Sequence, residues 1–279
     1  MNSILLKKIY YESCLEELEA FKPGNHSIFS RIPEMNELKF KYAAKLSSEY
    51  LIDKNLSLGE SIHGAVKTCQ TSLNSNYNLG IIILCAPIIK VFQKSVNKPR
   101  SALRNLLINI SKRDGQLILN AIEIAKPAGI KIYKGKGNIF KKNNLSFPDI
   151  MKIGSKHDRI SNCYFSNYNE IFDFGLPLLD FLKKRISRIK AIEILYINFL
   201  CSAFDSHILR KFGAKKAKIV KYKALMLKKK IKIFHNNKTL FKEFDTYLKN
   251  SHINPGTCAD LTVTTLLINK IRDIFNIPL

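Results

Sequence analysis

The segment from Leu79 to Phe92 limits the possible folds of this chain more than any other part of it. Apart from Gly80, Pro87 and Lys90, all of its residues are apolar. It is too short to cross a bilayer, which takes roughly 20 apolar residues, and it contains a proline. Its apolar surface must therefore be covered by the rest of the protein. The sequence predicts that this segment forms a buried central helix.

Apolar residues spaced three and four positions apart predict further helices. From Met35 they recur at Leu38, Tyr42, Leu46 and Tyr50, which places one apolar stripe on one helix face. This spacing is typical of a helix that packs against a core.

The rest of the chain continues this helical pattern. Ser57 is followed three residues later by Glu60, which is the pattern of a capping box at the start of a helix. Further helices are predicted at 3–20, 78–96, 101–125, 148–162, 168–186, 189–203, 206–230, 238–250 and 256–275. Strand signals are weak. The sequence therefore predicts an all-α fold.

We predict one domain over residues 1–279. The length and the apolar fraction of 46% allow one large core. No internal repeat is found, and the helical pattern has the same composition on both sides of a polar stretch at 126–147. That stretch has no periodicity and is predicted to be a long surface loop.

The chain is strongly basic. Lys and Arg number 46 and Asp and Glu number 22, which gives a net charge of +24. Such a surface attracts polyanions. Lys, Ile and Asn are over-used throughout the chain, as an AT-rich coding bias would also produce. The charge alone therefore leaves open whether the protein has a polyanionic partner.

The cysteines and the N-terminus indicate a cytoplasmic protein. The six cysteines include no C-x-x-C pair, so neither a disulfide framework nor a zinc site is predicted. We expect them to be small buried hydrophobic residues in a reducing compartment. The first 18 residues mix lysines with glutamates and contain no apolar stretch of the signal-peptide kind. We therefore predict neither export nor a membrane segment.

The first candidate motif is K-P-G-N-H at 22–26, directly after the first predicted helix. Proline fixes φ, and glycine lets the backbone approach a ligand closely, so backbone amides beside Lys22 can bind a phosphate. A Pro-Gly turn that only joins two helices is the alternative.

The second candidate motif is a set of alternating asparagines, Asn74, Asn76 and Asn78, before the apolar helix. Asparagine is a good N-cap, so we expect one of them to cap this helix. The others would bring amide groups to the start of a buried helix, where an unpaired polar group costs about 1–3 kcal/mol. A ligand would relieve this cost, and the helix N-terminus favours an anionic one.

The third candidate motif, F-D-S-H-I-L-R at 204–210, follows an apolar helix that ends near Ala203. Asp205 can cap the next helix. Alternatively, it can hold a divalent cation or orient a hydroxyl group, while Arg210, about one turn farther on, reaches a phosphate. His207 is a further candidate base.

The fourth candidate motif is N-P-G-T-C-A-D-L at 254–261, which opens the last predicted helix. Asp260 lies in the first turns of this helix, and the residues after it are apolar enough to belong to the core. A carboxylate that faces a core needs a partner, which can be a metal, a lysine or a backbone amide. A structural ion pair and a ligand-binding role are both open.

In this order, the four motifs resemble those of the triphosphoribosyl-dephospho-CoA synthase family, in particular its archaeal-like branch, over nearly the whole chain. K-P-G-N at 22–25 resembles the family's P-K-P-G-N/L opening, and N-Y-N-L-G at 76–80 is similar to T-N-x-N-L-G. The segment 205–210 resembles the family's motif with an aspartate and an arginine, and 254–261 is close to N-P-G-T-[ST]-A-D-L. The segments 157–160 and 172–177 resemble further markers of this branch.

The resemblance implies a transferase that joins ATP to 3′-dephospho-CoA and releases adenine, to make a prosthetic-group precursor. Such a reaction needs Mg²⁺ on the triphosphate, an orienting group at the attacking hydroxyl and negative charge near the sugar. The resemblance implies catalytic and Mg²⁺-binding roles for Asp205 and Asp260. It implies substrate-binding roles for Lys22, Gly24, Asn25, Asn76, Asn78, Gly80, Arg210, Asn254, Gly256 and Thr257.

The second motif departs from the best-known bacterial synthases, which carry N-T-H-K-G. This chain has Asn78 in place of the histidine and Leu79 in place of the lysine. The predicted pocket therefore has one titratable group and one cation fewer. The resemblance implies either dephospho-CoA or a related cofactor precursor as the acceptor.

Two other functions are open. One is nucleotide binding without turnover. The other is nucleic-acid binding by the basic stretch from Lys211 to Lys232, which has few aromatic residues to stack on bases and no recognisable DNA-binding motif. We expect ATP and a nucleotide-like acceptor as ligands, and neither nucleic acid nor a membrane as a partner. The sequence predicts no oligomeric state.

We predict that the four motifs converge on one pocket, although Lys22 and Asp260 lie near opposite ends of the chain. Each motif lies at a predicted helix end beside an apolar segment, where polar side chains can face inward from rigid elements. A structure with Asp205 and Asp260 on opposite surfaces would contradict this prediction.

Overall fold

Thirteen α-helices and no β-strand form the described part of the chain, which comprises residues 2–33, 35–94, 98–129 and 145–277 of a computed structural model. The helices are α1 (Ser3–Glu19), α2 (Glu37–Ile52), α3 (Leu58–Leu73), α4 (Leu79–Gln93), α5 (Pro99–Ile108), α6 (Lys112–Ala125), α7 (Phe147–Gly154), α8 (Arg159–Phe165), α9 (Leu176–Lys183), α10 (Arg188–Ser202), α11 (Ser206–Lys230), α12 (Lys238–Asn250) and α13 (Gly256–Phe275). The prediction of an all-α fold is confirmed.

Helix α4 is buried at the centre of the fold, as the sequence predicted. Every residue from Ile81 to Gln93 is buried. The helices in contact with it are α1, α2, α3, α5, α6, α8 and α13. The other helices therefore cover the apolar surface of α4, and together they surround one continuous hydrophobic cluster.

Pro87 lies inside α4 and leaves one carbonyl without its helical donor. Proline has no N–H, so the carbonyl of Ile83, four residues earlier, receives no bond from it. The hydroxyl of Tyr164 in α8 donates to this oxygen at 2.8 Å, and the hydroxyl of Tyr168 donates to the carbonyl of Leu84 at 2.9 Å. Both tyrosines are buried. They tie α8 and the segment after it to α4 at its proline.

The predictions of single helices at 101–125 and 148–162 are wrong, because each region forms two helices, the second of which begins at a new N-cap. Ser111 accepts a hydrogen bond from the backbone N–H of Asp114 at 3.0 Å and starts α6. Asp158 accepts from the backbone N–H of Ser161 at 2.8 Å and starts α8.

The structure also differs from the predicted helices at 168–186 and 206–230. The first consists of a π-helical turn, Glu170–Gly175, that continues into α9. The second is α11, which has one non-helical residue, Gly213, with φ of 79°. The capping box at Ser57 and Glu60 is confirmed at the start of α3. All six cysteines are buried and free, as predicted.

The predicted surface loop at 126–147 falls mainly on residues 130–144, which lie outside the described residues. No single helix in the described ranges is long and apolar enough to cross a membrane. Helices α10 and α11 meet the criterion of length and composition only as a pair, with a bend of 47° between them.

Replacing Asp114 by alanine is expected to lower the free energy of unfolding by about 1–3 kcal/mol. The Asp114 carboxylate joins two helices, because it accepts from the Ser57 hydroxyl and from the backbone N–H of Gly59 (2.9 Å) at the start of α3. It also accepts from the Ser111 hydroxyl at 3.1 Å at the start of α6. Urea unfolding measures the loss.

Asp149→Ala is the matched control for Asp114→Ala. Asp149 has the same position after a capping serine, Ser146, but its carboxylate bonds to no other helix in the described part of the chain. We expect this variant to lose only about 0.5 kcal/mol. Equal losses in the two variants would show that the bonds to α3 contribute nothing.

Candidate functional site

A cavity of about 580 Å³ lies where the amino-terminal turns of α4, α11 and α13 meet. Gly80 of α4, Arg210 of α11 and Thr257 of α13 form part of its wall. Each helix N-terminus carries the equivalent of about +0.5 elementary charge. Three such ends give this part of the cavity a positive field that suits an anionic ligand.

All four sequence motifs supply residues to this cavity, as predicted. The predicted site residues in its wall are Asn25, Asn76, Gly80, Arg210, Asn254, Gly256, Thr257 and Asp260. The other predicted site residues lie behind the wall, where each has protein partners: Lys22, Gly24, Asn78 and Asp205.

Asp260 is the carboxylate that the cavity leaves available. It lies in the wall and is partly exposed, and its side chain forms no hydrogen bond with another described residue. Burial, together with the carboxylates of Asp205 and Glu17, raises the pKa of Asp260 well above its usual range. A partly buried acid without a donor is costly to the fold, which favours a role in ligand binding or catalysis.

Gly80 makes room for the Asp260 carboxylate. A methyl group on Gly80 would overlap both the oxygens and the carbon of this carboxylate. Any other residue at position 80 would therefore displace Asp260 or the start of α4. Gly80 of the second motif therefore leaves free the space that the Asp260 carboxylate of the fourth motif occupies.

Asp205 has a structural position, and this agrees with the capping alternative. One of its oxygens accepts from the backbone N–H of Ile208 at 3.1 Å and caps α11. The other accepts from the backbone N–H of Cys258 at 2.9 Å in the first turn of α13. Asp205 is 2% exposed and does not line the cavity. It holds two helix ends together and has no oxygen directed at a ligand.

Lys22, predicted to bind phosphate, is instead fully buried. Its ammonium group pairs with the carboxylate of Glu17 and donates to Oδ1 of Asn25 and to the carbonyl oxygen of His26, both at 2.9 Å. Glu17 and Asn25 line the cavity, whereas Lys22 does not. Lys22 therefore supports the wall and contacts no ligand directly.

Gly24 also has a structural role. Its φ of 78° lies in the left-handed region, and a side chain there would clash with Leu248 and Pro255. Its backbone N–H donates to Asp245 of α12 at 2.7 Å, so this amide is not free for a phosphate. The turn of the first motif is thereby fixed against the segment that leads into the fourth.

The three asparagines of the second motif have three different roles. Asn74 ends α3 in the left-handed conformation. Asn76 accepts from the backbone N–H of Leu79 at 3.2 Å and lines the cavity. Asn78 donates to the Ser47 hydroxyl at 3.1 Å behind the wall. The expected cap of α4 therefore comes from Asn76.

Arg210 is held in the wall by Asp158, which was not predicted as a site residue. Its guanidinium donates to the Asp158 carboxylate at 2.6 Å, and its Nε is buried without a partner among the described residues. His207 lies beside it in the wall, and burial lowers the pKa of this histidine, so it is neutral at physiological pH. Glu17 and Lys126 are further wall residues that sequence reasoning missed.

Another part of the cavity wall is apolar. It is formed mainly by the last turn of α6, by α7 and by the start of α8, with these residues: Ile122, Ala125, Phe147, Ile150, Met151, Ile153 and Ile160. The cavity therefore has a polar end at the helix N-termini and an apolar end between α6 and α7. A ligand that fills both ends has a charged part and an apolar part.

The described residues contain no cluster of three or more histidine, cysteine, aspartate or glutamate side chains that could hold a metal ion alone. Asp205 is 2% exposed and lies behind the wall, where both of its oxygens accept backbone N–H groups, so it does not fit a metal ligand in the cavity. Asp260 fits one, because its carboxylate has no protein donor in the described ranges. Mg²⁺ often binds through one or two carboxylates together with substrate phosphates.

Comparisons with known proteins agree with the resemblance drawn from the motifs. A model of the CitG family, described as ATP:dephospho-CoA triphosphoribosyl transferase, matches residues 5–278. The fold is similar to the crystal structure of a protein from Archaeoglobus fulgidus assigned as a triphosphoribosyl-dephospho-CoA synthase. The two chains are 22% identical over 82% of this chain and 97% of the other, with a TM-score of 0.64. A comparison with curated protein sequences finds no match.

The match to the family model extends over nearly the whole chain and contains all four motifs of the cavity. The family and the transferase activity predicted from the ordered motifs are thereby confirmed. The chain belongs to the CitG family of ATP:dephospho-CoA triphosphoribosyl transferases.

Proposed function

We propose that this protein transfers the triphosphoribosyl group of ATP to the 2′-hydroxyl of 3′-dephospho-CoA, or of a closely related cofactor precursor, in the cavity described above. Asp260 carries the proposal, because it is a partly buried carboxylate that bonds to no protein donor in the described residues, in a cavity built by the family's motifs. The C1′–N9 bond of ATP breaks, a bond between C1′ and the acceptor oxygen forms, and adenine leaves with the proton.

The polar end of the cavity binds the triphosphate. Arg210 and the amino-terminal turns of α4, α11 and α13 supply positive charge and N–H donors there. Arg210 is held by Asp158, so its guanidinium is oriented before a ligand arrives. Lys126, at the end of α6, adds a second cation to the wall.

Asp260 is the residue that would hold Mg²⁺, together with oxygens of the triphosphate. A bound Mg²⁺ would neutralise phosphate charge and orient the triphosphate chain. Gly80 keeps the Asp260 carboxylate close to the start of α4, where the sugar of a nucleotide bound at the helix ends would lie. Negative charge at this place also stabilises a sugar carbon that becomes positive as adenine leaves.

His207 accepts the proton of the attacking hydroxyl and passes it on to the leaving adenine. It is neutral at physiological pH because burial lowers its pKa, and it lies in the wall next to Arg210. A neutral imidazole near the sugar can act as a general base. The apolar end between α6 and α7 accommodates the adenine ring or the uncharged arm of the acceptor.

We also propose that the reaction takes place in the cytoplasm. All six cysteines are free thiols, which is typical of a reducing compartment. ATP as the donor substrate agrees with this assignment.

Incubation with ATP, Mg²⁺ and dephospho-CoA is expected to release free adenine in amounts equal to the coupled product. The triphosphate stays on the ribose during displacement at C1′, so neither ADP nor pyrophosphate is formed. Chromatography of the nucleobase and nucleotide products measures this. ADP or pyrophosphate in stoichiometric yield without adenine would contradict the assignment, and binding of ATP without turnover of any acceptor would favour the non-catalytic alternative.

Asp260→Asn and Asp205→Asn are expected to have opposite effects on stability. Asp205→Asn turns an NH₂ group toward an N–H donor at one of its two bonds and should cost about 1–3 kcal/mol. Asp260→Asn removes an acid whose ionisation the fold disfavours and should stabilise the ligand-free protein by about 1 kcal/mol. Only Asp260→Asn should abolish Mg²⁺-dependent ATP binding while the protein stays fully folded, as calorimetric titration would show.

The gain in stability from Asp260→Asn is expected to depend on pH. The folded pKa of Asp260 is raised, so ionisation of the unfolded chain, at a pKa of about 3.9, lowers stability as the pH rises. The difference in melting temperature between variant and wild type should therefore be small at about pH 3.5 and grow toward neutral pH. A difference that does not change with pH would mean that Asp260 titrates normally.

A further inference from the structure

A chain of hydrogen bonds connects the first motif to the fourth behind and within the cavity wall. Nζ of Lys22 donates to Oδ1 of Asn25 at 2.9 Å, and Nδ2 of Asn25 donates to Oδ1 of Asn254 at 2.7 Å. Lys22 is fully buried, Asn25 is 7% exposed, and Asn254 lies in the wall. The three side chains therefore lead from the interior to the polar end of the cavity.

Lys22 determines the donor-to-acceptor direction of this series of hydrogen bonds. An ammonium group donates three hydrogen bonds and accepts none. The ammonium group of Lys22 also bonds to the carboxylate of Glu17 and to the carbonyl oxygen of His26, so all of its hydrogens are used. The amide oxygen of Asn25 must therefore face Lys22, and its NH₂ group must face Asn254.

The same reasoning orients Asn254. Its oxygen faces the NH₂ group of Asn25. Its own NH₂ group has no hydrogen-bond partner among the described residues, and its residue lines the cavity at the start of α13. If Lys22 did not fix the first amide, either orientation of both amides would satisfy the bond between them.

We infer that Lys22 is a positioning residue that acts through Asn25 to present the NH₂ group of Asn254 to a phosphate oxygen of the nucleotide. The inference rests on the proposed function, because it assumes a triphosphate at the polar end. It gives Lys22, which contacts no ligand, a part in substrate binding. Asn25 of the first motif and Asn254 of the fourth motif then act together in binding one phosphate.

Asn25→Asp tests the direction of the chain and leaves Asn254 in place. A carboxylate at position 25 can accept from Lys22 but has no hydrogen to donate, so Asn254 must turn its NH₂ group toward it. The oxygen of Asn254 then faces the phosphate. The affinity for Mg²⁺·ATP and for inorganic triphosphate should fall about tenfold or more, as expected for loss of a hydrogen bond to a charged group.

The same substitution in an Asn254→Ala variant distinguishes repulsion of the ligand by the new charge from reorientation of the Asn254 amide. In Asn254→Ala no amide is left to turn, so adding Asn25→Asp should change the affinity for either ligand less than about twofold. Asn105→Asp, at an exposed position on α5, is the control for added charge alone and should bind like the wild type. An equal fall in affinity in both backgrounds would overturn the inference.

Exchange of the side-chain amide hydrogens, followed by NMR on labelled protein, tests the same orientation without a ligand. In the wild type the NH₂ group of Asn25 should be protected and that of Asn254 should exchange quickly; in Asn25→Asp that of Asn254 should become protected. The reverse pattern in the wild type would overturn the inference even if the variant failed to fold. A wild type that binds neither ATP nor triphosphate would instead contradict the proposed function, and the exchange pattern would still decide the orientation.

Discussion

The carboxylate of Asp205 fixes the two helix ends on which the cavity depends. One oxygen caps α11, and the other accepts from the backbone N–H of Cys258 in the first turn of α13. The two N-termini are therefore held side by side, with Arg210 on one helix and Asp260 on the other facing the same space. Because both of its oxygens are occupied by backbone donors, Asp205 acts by holding the two helix ends, and the carboxylate of Asp260 is the one proposed to act on the ligand.

The cavity does not share the strong positive charge of the chain. Among the described residues of its wall, the acids Glu17, Asp158 and Asp260 outnumber the cations Lys126 and Arg210. The lysines of α11 lie elsewhere, and most of them are exposed. In the proposed reaction the triphosphate is therefore held by directed N–H groups, one oriented guanidinium and a metal ion. The net charge of +24 by itself says little about the site, as an origin in coding bias would also suggest.

The sequence predicted the elements and the meeting of the motifs better than it predicted what each motif residue does. Helix positions depend on local spacing, so α3 begins at its predicted capping box, and α4 and α13 begin and end close to their predicted limits. The roles of Asp205 and Lys22 depend on partners that local spacing does not reveal, namely the backbone of Cys258 and the carboxylate of Glu17. A lysine or an aspartate in a motif has the same appearance in the sequence whether it binds a ligand or holds the residue that does.

The bond between Tyr164 and the carbonyl of Ile83 makes two distant positions interdependent. A residue with an N–H group in place of Pro87 would restore the helical bond, and the Ile83 oxygen, which has two lone pairs, could accept the Tyr164 hydroxyl as well. Phenylalanine in place of Tyr164 would leave the Ile83 oxygen without a donor in an apolar core as long as Pro87 is present. Loss of the tyrosine is therefore costly only beside the proline. Divergence among relatives is expected to replace the proline before the tyrosine or together with it, and not the tyrosine first.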